Sequence, residues 1–89
     1  MELLDKAKIV LRVSTDAFDD EINMLIGGAK LDLEESGVNV DLNDELVVSA
    51  ILFFVKAHFG YDNLDSGKQL RAYESTRRKL ALGSRWNGA

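Results

Sequence analysis

Apolar residues recur at three- and four-residue steps along almost the whole chain, and no proline interrupts them. That spacing lines up apolar side chains on one face of a helix, which turns once in about 3.6 residues. Proline would break such helices by removing a backbone donor. The pattern therefore predicts an all-α domain, a small bundle of about four helices. Only Val38-Asn39-Val40-Asp41 alternates, and this short piece has no partner strand in the sequence.

Leu3, Leu4, Ala7, Val10 and Leu11 predict a first helix over 2–12. Ser14, Thr15 and Asp16 are N-cap candidates for a second helix over 17–36. Its stripe is Phe18, Ile22, Leu25, Ile26, Ala29 and Leu33, with Asp19, Asp20 and Glu21 favourably placed in the first turn. Gly27-Gly28 in its middle has two readings, a close approach of another helix or a kink. Gly37 follows the last helical residue, where a left-handed backbone is expected.

Val38–Leu42 reads as a connector, and Asp41 or Asn43 as the cap of a third helix with Asp44 and Glu45 in its first turn. From Leu46 to Phe59 that helix is apolar on nearly every side, which predicts a central position. So short a chain has little material to cover it, so part of this surface is expected to meet a neighbouring copy. Gly60–Asp65 is the next break, with Tyr61 and Leu64 as packing residues. A fourth helix over 66–82 carries only Leu70, Tyr73, Leu80 and Leu82 as large apolar positions. Gly83 is read as its stop, dividing a domain over 1–83 from a short C-terminal tail over 84–89 that is polar apart from Trp86.

Charge is divided by position. Residues 1–65 hold five Lys/Arg and fourteen Asp/Glu, whereas residues 66–89 hold six Lys/Arg and Glu74 alone. The sums, −9 and +5, add to the net −4. An acidic body with a basic end points to contact with a second surface: another subunit, a larger partner or a nucleic acid.

The chemistry-bearing residues are few. There is no cysteine, which removes disulfides, thiol nucleophiles and thiolate metal sites. His58 is the only histidine, and no H-x-x-x-H spacing accompanies it, so a structural role is expected. The Asp41–Glu45 run begins like a calcium loop. Leu46 stands where that loop needs glycine and Leu52 where it needs glutamate. No phosphate loop is present, and neither catalysis nor a cofactor or metal is expected. The longest apolar run, Ala50–Val55, is far short of the ~20 residues of a membrane span, and the N-terminus does not read as a signal peptide.

The strongest remaining feature is Arg71, Arg77, Arg78, Lys79 and Arg85. It reads as contact with an acidic partner or as a solvated helix end. Trp86 favours contact, because tryptophan and arginine are enriched at interface hot spots. A small nucleic-acid-binding module using the basic fourth helix is the alternative. The sequence pI near 4.8 argues against it.

Four segments then carry a family resemblance: L-x-x-A-K-x-x-L-R-V from Leu4, D-D-E-I-x-x-L-I-x-x-A-K from Asp19, A-I-L-F-F-V-K-A-H-F-G-Y-D-N from Ala50, and A-Y-E-S-T-R-R-K-L-A-L-G-S-R-W from Ala72. Together they resemble the head–tail connector proteins of tailed bacteriophages, also called adaptor, head-completion or possible DNA-packaging proteins. The resemblance implies a virion protein assembled in the host cytoplasm. It implies a homo-oligomeric ring of about twelve copies, joined head-to-tail beneath the portal protein. Such a ring extends the DNA channel, presents a platform for the tail or a further completion protein, and passes DNA without reading its sequence. It has no catalytic step and no membrane contact. The positions that would grip the portal or the next subunit are Arg71, Arg77, Arg78, Lys79, Arg85 and Trp86. Asp19, Asp20, Glu21, Glu34 and Glu35 are the candidate complementary acidic face. Charge reversal at Arg77 and Arg78 is expected to impair attachment or ring closure and leave the monomer folded.

Overall fold

A computed structural model describes residues 2–60 and 64–88, with side chains as far as Gly83. Four helices follow in order: α1 Leu3–Leu11, α2 Asp19–Glu35, α3 Glu45–His58 and α4 Ser66–Gly88. There is no strand among the described residues, and Val38–Asp41 is an irregular connector. The expected all-α bundle is the observed fold, and α3 is its centre, packing against each of the other three helices.

The periodicity explains the core. Ile22, Ile26, Ala29 and Leu33 of α2 meet Val47, Ala50, Ile51 and Val55 of α3, with Ala7, Val38, Tyr73 and Leu80 closing the cluster. Burial of these groups supplies the main favourable term in folding. Leu64, expected as a packing residue, is instead 98% exposed, and the apolar α4 positions Leu70 and Leu82 are 38% and 50% exposed. Phe18 is 42% exposed and meets Phe59 edge to face at 5.6 Å.

The helix ends differ from the sequence expectation in instructive ways. α2 begins after Phe18, which offers no side-chain cap, while Thr15 accepts a hydrogen bond from the Ala17 amide within the preceding turn. Asp44 caps α3, accepting from the Leu46 amide at 2.8 Å. Asp41 instead closes the local turn by accepting from the Asn43 amide. In both places several Asp/Ser/Thr/Asn residues stand together, and backbone path selects among them. Gly37 has φ +87°, and Val38 and Gly37 donate to the Leu33 and Glu34 carbonyls, a Schellman ending sealed by buried Val38 and Leu33. α1 ends the same way with no glycine: Arg12 takes φ 59°, and Val13 and Arg12 donate to Lys8 and Ile9.

Gly83 does not stop α4. Its φ is not left-handed and the helix runs on to Gly88. A glycine stops a helix when the chain must turn back on the core, and nothing here asks for a turn. Gly27 and Gly28 both lie within α2, and neither is forced on the chain by a tight contact. α2 is one helix through both residues. A Cβ at Gly28 would touch the Phe54 ring at an ordinary 3.7 Å, and one at Gly27 would meet nothing within 4 Å.

Candidate functional site

The charged residues fall into two groups, those paired within the domain and those presented on its surface. Asp32, near the end of α2, is the centre of the first. It accepts a hydrogen bond from the Tyr73 hydroxyl and another from Arg77 Nη1 at 2.6 Å, both through Oδ2. The Arg77 guanidinium also lies over the Tyr73 ring, 5.4 Å from its centroid. Tyr73 and Arg77 are four residues apart, so they share one face of α4. The ring of Tyr73 is 2% exposed and packs edge to face on Phe54 at 5.2 Å. Hydrogen bonding from Tyr73, then from Arg77, holds the Asp32 carboxyl below its ordinary value. Burial, reinforced by the Asp32 hydrogen bond and charge, pushes the Tyr73 hydroxyl up. This clamp ties α4 to α2, two helices whose backbones approach each other far less than either approaches α3.

A second tie joins α1 to the start of α2. Lys8 Nζ lies 2.8 Å from Asp19 and 3.2 Å from Asp16. The close Asp19 carboxylate, and Asp16 after it, hold the Lys8 ammonium above its ordinary value. Asp19 and Arg77, two of the candidate interface residues, are thus engaged within the chain.

The others lie outward. Asp20, Glu21, Glu34 and Glu35 are exposed on α2. Arg71, Arg78 and Lys79 are exposed on α4, and Arg78 and Lys79 have no carboxylate partner among the described residues. Lys79 borders a shallow groove shared with Asp41 and Asp44 of the α2–α3 connector. Arg85 and Trp86 fall on the last turns of the α4 backbone, and their side chains lie outside the described residues, as do Tyr61, Asp62 and Asn63.

His58 has a structural setting. Its ring stacks on Phe54 at 4.2 Å, and Nδ1 lies 2.8 Å from the Phe54 carbonyl oxygen. No group of three metal-ligating side chains occurs among the described residues. No described helix is long and apolar enough to cross a membrane.

The clamp has no local signature in the sequence. The Tyr73/Arg77 spacing was visible, but their partner lies 41 and 45 residues away, beyond any local signal.

The chain is thus a small all-α protein with an acidic outer face on α2 and a basic outer face on α4. Comparison with known families gives that class its identity: the chain belongs to the phage connector protein family, whose model matches residues 3–83. It is accordingly a structural protein of the bacteriophage head–tail junction, a virion component that interacts with head and tail proteins. The family is generally non-enzymatic. No curated protein and no solved structure matches the chain.

Proposed function

We propose that this protein forms a ring of about twelve head-to-tail copies beneath the portal, extending the DNA channel and offering a platform to the tail or a further completion protein. The observation that supports this most is the division of outward charge. α4 presents Arg71 and Arg78 on the face opposite Tyr73 and Leu80, and α2 presents Asp20, Glu34 and Glu35. A ring subunit needs two different, complementary faces, and charge of opposite sign sets their register. The basic end, with Arg85 and Trp86 further along α4, grips the portal or the next subunit. The acidic body receives that end or forms a channel wall to which DNA phosphates do not adhere.

Arg78→Glu tests the reading, because Arg78 is exposed and Arg77 is not a clean probe. Binding to portal-bearing heads, followed by sedimentation, is expected to weaken while circular dichroism shows an intact fold. Wild-type protein that fails to bind such heads would refute the connector role. DNA retardation that weakens steeply with salt would favour the nucleic-acid-binding alternative instead.

A further inference from the structure

We propose that the outer face of α2 is the seat for the outer face of α4 from a second copy of this chain. The proposal rests on the connector reading for the ring that such contacts would close, and it specifies which surfaces make the joint. Met24 and Leu31 are 77% and 61% exposed. They are seven residues apart, two helical turns, on the side of α2 opposite Ile22, Ile26, Ala29 and Leu33. Gly27 lies between them. It stands in a helix interior, where glycine is unfavourable relative to alanine, and no contact inside the subunit requires it. A glycine between two exposed apolar side chains lets another helix come close.

The rim of this face identifies the occupant. Asp20, Glu34 and Glu35 surround Met24 and Leu31. On α4, Lys68, Arg71 and Arg78 share an outer face with Leu82, which is 50% exposed. The α2 face carries exposed Met24 and Leu31, the α4 face ends on exposed Leu82, and their charges are opposite. They cannot meet within one subunit, because the inner sides of both helices belong to one core and the outer sides point away from it. A second copy supplies the missing face. A single helix-on-helix joint buries less than the ~1,600 Å² of a standard stable interface, so in solution the contact is weak and concentration-dependent.

The chain has no cysteine, which allows a direct test. Met24→Cys and Leu82→Cys proteins are prepared separately, mixed in equal amounts and oxidised mildly. Disulfides form only where Cα atoms come within about 7 Å. The mixed dimer is expected well above its statistical share. Excess of either symmetric dimer overturns the proposal. Gly27→Gln is expected to raise the melting temperature yet weaken self-association by about tenfold or more, a divergence that general misfolding would not give. Unchanged association would count against the joint. Arg78→Glu and Glu34→Lys proteins, each impaired alone, are expected to associate when mixed. A wild-type chain that stays monomeric to about 1 mM and gives no mixed dimer also overturns the α2–α4 joint. That result leaves the connector reading to be judged by binding to portal-bearing heads. Failure to bind such heads with the mixed dimer intact refutes the connector reading and spares the joint.

Discussion

Removing one oxygen from Tyr73 tests the clamp that holds α4 to α2. Tyr73→Phe keeps the ring, its burial and its contact with Phe54, and deletes only the donor to Asp32. A hydrogen bond to a charged acceptor contributes about 1.5–3 kcal/mol when well shielded. Here the Asp32 side chain is 36% exposed, so water recovers part of the lost interaction and the expected loss is about 1 kcal/mol. In a domain of this size that lowers the melting temperature by about 4–8 °C. Urea unfolding followed by circular dichroism measures it directly, and equal stability at neutral pH would refute the clamp. The pH dependence is a second check. Because the folded Asp32 carboxyl lies below its ordinary value of 3.8, its stabilisation is complete above that value and is lost as pH falls further. The difference between wild type and Tyr73→Phe should therefore shrink in acid. Because the folded Tyr73 hydroxyl lies above its ordinary value of 10.0, its stabilisation holds below that pH and is lost as pH rises beyond it. The two proteins should converge again in alkali. A difference that stays constant from acid to alkali would show that the Tyr73–Asp32 bond carries no charge assistance.

Other sites give sharper signs. Arg12→Gly is expected to stabilise by about 1 kcal/mol, because glycine adopts φ 59° without the strain of a side chain; a lower urea midpoint would contradict the Schellman ending of α1. Gly27→Ala is expected to stabilise the isolated subunit by about 0.5–1 kcal/mol, since a Cβ there meets open space; a lower melting temperature would reveal an unseen steric constraint. Ile51→Ala, at a fully buried position of the central helix, should cost about 2–5 kcal/mol. That is a large part of the ~4–13 kcal/mol expected for 89 residues, and wild-type stability by urea unfolding would displace α3 from the centre.

The sequence made the helices and the central place of α3 legible because both depend on local spacing. The stripe Ile22, Ile26, Ala29 and Leu33 is buried as its period required. Helix ends were less legible, since Asp16, Asp41 and Asn43 were as good caps on paper as Asp44. Arg12 could not be read as a left-handed residue at all, because arginine carries no preference for that region. For the candidate site, sequence showed the sign of the charge but not its direction. Arg77 and Arg78 look alike in a basic run, yet a rotation of about 100° per residue turns one inward to Asp32 and the other to solvent. Reversing Arg77 would set two carboxylates against each other, so the expectation that its charge reversal leaves the monomer folded is not one the structure supports.

The clamp also gives the outer face of α4 its definition. A helix packed on one neighbour by few large apolar residues can roll about its axis, and among the described side chains of α4 only Tyr73 and Leu80 are buried in the core. Asp32 accepts from residues at two successive turns and so fixes that roll. With Tyr73 and Arg77 held inward, Arg71, Arg78 and Leu82 must point out together. A carboxylate turned toward its own α4 thereby aligns the residues proposed to meet a second copy. Asp32→Asn keeps the side chain's shape and weakens both bonds, so it should reduce self-association as well as stability. Arg78→Glu should reduce self-association alone. Measuring both quantities for the two variants, by urea unfolding and by sedimentation, separates alignment from contact. If Asp32→Asn lowers stability but leaves self-association unchanged, the roll of α4 is set by its packing on α3, and the clamp serves only the fold.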